Sequence, residues 1–425
     1  MSDQGLNRLS AAQLRAYRQT YHDELLQSVI PFWLRHAVDR ECGGFLIALD
    51  RDGSVLDTDK GIWTQCRFTW LLAHLYNRLE PRAEWLELAL HGLQFVRRFG
   101  FDSDGRMFFH VTRDGRPIRK RRYSFTETFA IMAWAEVAKA TGDPQLAAEA
   151  AELLGRYRLH LREGPQPPKF LGTRPAKGFG LPMINLGVAQ VVRDSIGLPV
   201  EDWIEESISE IERDFVKDDL QVVMEMVGPD GEVLDHFDGR LLNPGHAIEG
   251  ASFILREAKY RGAAAVAAAA APPPVTAGRP PPRRAGGRLV DLGTRMLRYS
   301  WHRGWDREFG GLLYFRDLYD KPIQEYWHDM KFWWPHNEAI IATLQAYQLT
   351  GESQFADWHR DVHEWSYRHF PDPEFGEWYG YLHRDGRVST ALKGNLWKGP
   401  FHLPRMLLTC VKMIDEMLEV GSPFE

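Results

Sequence analysis

The 425-residue chain is long enough for one large domain or two ordinary ones, and 44% apolar with 26% charged residues is the make-up of a globular protein with a sizeable core. A net charge of −6, from 52 basic and 58 acidic residues, gives no electrostatic reason to expect nucleic acid or an anionic membrane as a partner. Cys42, Cys66 and Cys410 have unrelated spacings that make neither a disulfide framework nor a zinc site. No apolar run of about 18 residues exists to span a bilayer, and MSDQGLNRLS lacks the pattern of a secretory leader, so the expectation is a soluble, cytoplasmic protein.

In chain order, helical periodicity marks residues 6–37, 70–79, 83–99, 126–142, 144–161, 200–216 and 338–351, each with apolar residues at i, i+3, i+4 and i+7. Between them lie short alternating runs around Asp-Gly turns: GFLIALDRDGSVLD (44–57), RMFFHVTRDGRPI (106–118), VVMEMVGPDGEVLDH (222–236) and GYLHRDGRVS (380–389). These predict small hairpins rather than strands of a large sheet. The segment GAAAVAAAAAPPPVTAGRPPPRRAGG (262–287) is low-complexity. Its alanines favour a helix and its proline runs forbid one, which predicts a surface insertion.

The chain also repeats itself. HAVDRECGGFLIALDRDG (36–53) and HRGWDREFGGLLYFRD (302–317) share D-R-E-x-G-G followed by apolar alternation, and each precedes an aromatic-rich helix start, GIWTQCRFTW or KFWWPHNEAI. Polar residues open successive helices at Arg67, Glu127, Asn185, His246, His336 and His402, at intervals of 60, 58, 61, 90 and 66 residues. Removing the 26 residues of 262–287 from the long interval restores the period. Six helical hairpins in phase predict an all-α, closed (α/α)6 barrel with short β-hairpin ornaments. It forms one domain over 1–425, with 262–287 inserted in it. The inner helices then gather their N-termini, with unpaired N–H groups and a dipole suited to developing negative charge, at one end of a central cavity.

Four clusters carry candidate chemistry: NPGHAIEGASFIL with Asn243, His246 and Glu249; WWPHNEA with Trp333, Trp334, His336 and Glu338; LWKGPFHLPRML with Trp397, Lys398, His402 and Arg405; and IWTQCRFTW with Trp63, Gln65 and Arg67. The three histidines sit at equivalent points of three repeats, where packing alone has no reason to ask for imidazole. The 15 Trp residues suit a pocket that stacks sugar faces. The spacings do not match HExxH, and LGTRPAKGFG (171–180) is not a P-loop, so no metal and no nucleotide-hydrolysing site is expected. Paired glutamates leave a glycosidase open. Two imidazoles with an arginine point instead to proton transfer at a carbon next to a carbonyl, the arginine stabilising the enolate. Bases on opposite faces invert the centre, whereas one shuttling base isomerises an aldose to a ketose.

At NPGHAIE, WWPHNEA, DPEFGEWYGYLHRDGRV and KGPFHLPR the chain resembles the N-acylglucosamine 2-epimerase (renin-binding protein) family over nearly its whole length. The resemblance implies metal-independent interconversion of N-acetylglucosamine and N-acetylmannosamine. It implies His246 and His402 as the acid/base pair and Arg67 as enolate stabiliser, with Glu249, Glu338, Trp334, His336, Asn185 and Trp63 as substrate contacts. It also implies a homodimer that requires no cofactor and takes ATP as an activator. An epimerase or isomerase for an unacylated sugar, or a non-catalytic protein-binding member, is the alternative. Cys66, in QCRFTW, departs from the glycine usual in the family.

Overall fold

The computed structural model describes residues 8–120, 124–163, 173–270 and 285–419. Six inner helices form a ring: α3 (Ile62–Arg78), α5 (Phe125–Thr141), α7 (Gly180–Ile196), α10 (Pro244–Ala270), α12 (Trp333–Thr350) and α14 (His402–Glu419). Each carries one of the six polar starts read from the sequence. Outside them pack α4 (Ala83–Phe99), α6 (Pro144–Glu163), α8 (Glu201–Glu210), α11 (Ala285–Gly304) and α13 (Ser353–His369). The ring closes where α1 (Ala11–Asp23) packs on α14, with Arg18 bonded to Asp415 at 2.5 Å. After α1 the chain passes through a π segment, Glu24–Val29, into α2 (Ile30–His36); Pro31, which lacks an N–H, cannot continue a regular α ladder there. A single turn, α9 (Phe237–Arg240), precedes α10.

Inner and outer helices differ as their positions demand. Helix α12 is buried from Trp333 to Tyr347 without a break and α5 from Thr126 to Ala138, because each lies inside the outer layer and turns its remaining face toward the barrel axis. Helix α4 buries one stripe, including Trp85, Leu88, Ala89, Gly92, Leu93 and Val96. The alanine run beginning at Gly262 belongs to α10, which extends to Ala270, and α11 starts at Ala285. Both flanks of the expected insertion are therefore helix, and its centre, 271–284, lies outside the described residues.

Three of the four Asp-Gly hairpins form: 48–49 with 55–57, 110–111 with 117–119, and 381–382 with 388–390. The fourth does not. Val222–Val223 pairs back with Val216–Lys217, and Met226–Val227 pairs with Lys177–Gly178 at the foot of α7, while the Asp-Gly turn closes only locally. The strand before α3 (60–61) joins the 110–119 hairpin and the strand before α12 (331–332) joins the 381–390 hairpin, so hairpins are tied to inner-helix starts.

The D-R-E-x-G-G repeat is a device for making that tie. Asp39 accepts from Lys60 Nζ (2.8 Å) and from Arg113 (2.9 Å); Asp306 accepts from Lys331 Nζ (3.0 Å) and from Arg384 (2.8 Å). The paired glycines, Gly43–Gly44 and Gly310–Gly311, all have left-handed φ values and let their carbonyls turn toward the buried lysine. A third copy, D-P-E-F-G-E, has Asp372 bound by Lys393 (2.9 Å) and Arg51 (2.8 Å), with Glu377 in the second glycine's place at φ 55°.

Candidate active site

A cavity of about 1520 Å3 follows the barrel axis; on α3 alone it meets Trp63, Arg67, Trp70, His74 and Arg78 in succession. Near the inner-helix starts its wall holds two imidazoles, His246 and His402, both close to Trp334, with ring centroids 5.1 Å and 5.7 Å from the indole. In each, Nδ1 meets a carboxylate. His402 Nδ1 lies 2.7 Å from Glu338 Oε1; His246 Nδ1 lies 3.0 Å from both oxygens of Glu225.

The His402 side is closed. Glu338 is fully buried and also takes Arg405, whose guanidinium lies 3.6 Å from Glu249. Burial works against the charge of Glu338, but Arg405 and His402 outweigh it and hold the carboxyl below its ordinary range. Burial pushes the His402 imidazolium down to about 4, with Arg67 and Arg405 opposing a second positive charge, so the ring is neutral at pH 7. Glu249 moves the other way, up to about 7, through burial and the nearby Glu338 carboxylate. Donor atoms of Glu249, Glu338 and His402 lie within 4.8 Å of one another, a spacing a cation would accept. Arg405 already places a positive charge on this pair of carboxylates.

Arg67 is set differently. Its guanidinium lies 4.1 Å from the Phe129 ring, 4.3 Å from Trp63 and 4.7 Å from Phe401, and among the described residues it makes no hydrogen bond or ion pair. Burial lowers it to about 9. A cation held against three rings and facing a cavity is built for a charge that arrives with, or develops on, a ligand.

Trp63, Trp334, Glu249, Arg67, His246 and His402 line the cavity, as the sequence predicts. Three other expectations need correction. His336 is fully buried and turned away: Nδ1 donates to Phe332 O (2.7 Å), Nε2 accepts from Leu312 N–H (2.9 Å), and the ring stacks on Trp365. It stands in α12 where Gln65 stands in α3, and Gln65 likewise grips the Gly-Gly loop through Phe45. The equivalence with His246 and His402 fails because each residue along an α-helix rotates by about 100°, and His336, two residues beyond the wall residue Trp334, points about 200° round the helix from it. Glu338 lies behind His402 rather than on the wall, and Asn185 lies behind Tyr157, whose hydroxyl donates to it at 2.7 Å. Lys398 is pinned to Glu377 at 2.8 Å and Glu127 to Arg106 at 2.8 Å, both as buried ion pairs.

The sequence names Arg405 in the His402 cluster without giving it a role, and it does not single out Glu225. Arg405 carries the ion pair with Glu338, and its signal was its place three residues after His402 on one helix face. Glu225 comes from a hairpin, and its only signal is a carboxylate inside the apolar run VVMEMV.

Fold and cavity together define an (α/α)6 barrel of the kind that carries sugar epimerases. The chain is similar in structure to cellobiose 2-epimerase from Bacillus thermoamylovorans (TM-score 0.78, 19% identity, 94% of this chain and 99% of that one), and to a D-mannose isomerase (TM-score 0.75, 18% identity, 98% and 100%). It belongs to the N-acylglucosamine 2-epimerase (GlcNAc 2-epimerase) family, which matches residues 43–169 and 283–402. N-acylglucosamine 2-epimerase of Bos taurus is 36% identical over 96% of this chain and 94% of its own length, and that of Homo sapiens 34% over 96% and 93%. Among the described residues no helix is long and apolar enough to cross a membrane.

Proposed function

We propose that the chain interconverts N-acetylglucosamine and N-acetylmannosamine by moving the proton at C2 between His246 and His402. One observation carries this reading: two imidazoles, each bound through Nδ1 to a carboxylate, lie close to one indole in a single cavity beside an unpaired guanidinium. In the open-chain aldose the C1 carbonyl makes the C2 proton acidic. One imidazole Nε2 removes that proton, and the electron pair moves onto O1 as an enolate. Arg67 stabilises the negative oxygen; the opposite histidine, which enters this turnover as the imidazolium with a proton on Nε2, gives that proton to the other face, inverts the centre and is left neutral, so the two rings exchange protonation states. Trp334, near both rings, forms the wall along which the sugar chain lies, and Glu249 holds a sugar hydroxyl.

Neither a metal nor a nucleotide takes part in that step. The dimeric state, the cytoplasmic location and activation by ATP implied by the family belong to the same proposal; light scattering and assays with and without ATP test the first and last. Incubation with N-acetylmannosamine, mannose and cellobiose, followed by NMR of the products, tests the substrate. Conversion of N-acetylmannosamine to N-acetylglucosamine is expected. Turnover of mannose alone, with fructose appearing, would contradict the proposal and favour the isomerase chemistry named for one structural neighbour.

A further inference from the structure

The two imidazoles are not held alike. His402 is oriented by Glu338 from the adjacent inner helix, whereas Glu225 reaches His246 from outside the ring. It sits immediately before the strand Met226–Val227, which pairs with Lys177–Gly178, and its own carbonyl accepts from Phe179 N–H at 2.9 Å where α7 begins. Among the described residues, His246 is its ion-pair partner and no other.

A second group competes for the same ring nitrogen. Asn243 accepts from the His246 backbone N–H (3.2 Å) and places Nδ2 3.1 Å from Nδ1. One Nδ1 cannot donate to a carboxylate and accept from an amide at once. With a proton on Nδ1, the bond goes to Glu225. With that nitrogen bare, its lone pair would face the carboxylate oxygens at 3.0 Å, and only Asn243 would satisfy it.

From this arrangement we infer that Glu225 is the positioning residue of His246: it holds the proton on Nδ1, leaves Nε2 for C2, and pairs with the imidazolium once the proton has been taken. The inference rests on the epimerase reading and goes beyond it, because it makes the two half-reactions separable. Damage on the Glu225 side impairs removal of the proton that faces His246. The epimer whose C2 proton faces His402 is still deprotonated and, with no working acid opposite, takes a solvent proton back on the same face.

The experiment follows C2–H exchange in D2O separately for N-acetylglucosamine and N-acetylmannosamine by NMR. Wild type is expected to convert both, with deuterium entering at C2. In Glu225→Ala, interconversion falls about a hundredfold, a share of what a positioned base contributes, while one epimer keeps exchanging its C2 proton without inverting. Glu225→Gln, which still accepts the Nδ1 proton but carries no charge, recovers part of the rate and moves the acid limb of the pH profile to lower pH. Unchanged conversion in Glu225→Ala, equal loss of exchange from both epimers, or an unmoved acid limb in Glu225→Gln would overturn the assignment. Wild type that exchanges neither C2 proton contradicts the epimerase reading itself.

Discussion

The His246 and His402 walls of the cavity solve one problem in two environments. Both set an imidazole at an inner-helix start with Nδ1 bound to a carboxylate and Trp334 close by. On the His402 wall everything is buried, and a cation, Arg405, stabilises Glu338. On the other wall the side chains of His246 and Glu225 remain 32% and 24% exposed, with water within reach. Two bases can thus share a function while one depends on an internal ion network and the other on a carboxylate and an amide at the edge.

The largest effects come from the bases themselves. His246→Ala and His402→Ala are each expected to lower interconversion by about 10²–10⁴-fold, read as product formed from N-acetylmannosamine; retained turnover in either would remove that histidine from the chemistry. The carboxylates then separate the walls. Glu338→Ala takes from the part-buried Arg405 the nearer of its two carboxylates, leaving only Glu249 at 3.6 Å, and is expected to destabilise the fold by up to about 3–5 kcal/mol. Glu225→Ala, at a part-exposed pair, is expected to change stability by no more than about 1 kcal/mol. Denaturant midpoints of the two variants measure this, and equal losses would erase the distinction drawn here.

Acid distinguishes the walls more gently. Burial lowers His402 to about 4 and the structural His336 and His359 to about 3, all below the ordinary 6.5. Between those values the unfolded chain binds more protons than the folded one, so stability is complete above pH 6.5 and falls as the pH drops toward 4. Denaturant midpoints taken along that pH range check it; a flat profile would mean that the rings are solvated. The smallest effect is expected from His336→Gln. Gln65 does the same work at the matching place in α3, so activity should persist and stability should change by about 1 kcal/mol or less. A large loss of turnover would return His336 to the cavity.

The sequence carried the inner helices because each opens on a polar residue inside an otherwise apolar pattern, and those openings recur once per hairpin. Arg67, His246 and His402 stand in that register, whereas Glu249 and Trp334 come from the local clusters and the family resemblance. What stayed hidden depends on rotation and on long-range pairing. Whether a side chain four residues into a helix faces the axis turns on where the helix begins to within one residue, and this took His336 out of the cavity. Glu225 stands just before the strand Met226–Val227, whose partner is the distant Lys177–Gly178, and neither periodicity nor the D-R-E-x-G-G repeat points to it. The third copy of that repeat was hidden by Glu377 standing where the other two have glycine.

The central claim is that each histidine serves one face of C2. C2–H exchange of the two epimers in D2O, compared between His246→Ala and His402→Ala, tests it most directly. The account predicts opposite residues of activity: each variant exchanges the C2 proton of one epimer without inverting it, and the epimer differs between the two. If both variants exchange the same epimer, or if one of them still interconverts the pair, a single base does the work and the two-faced account is contradicted.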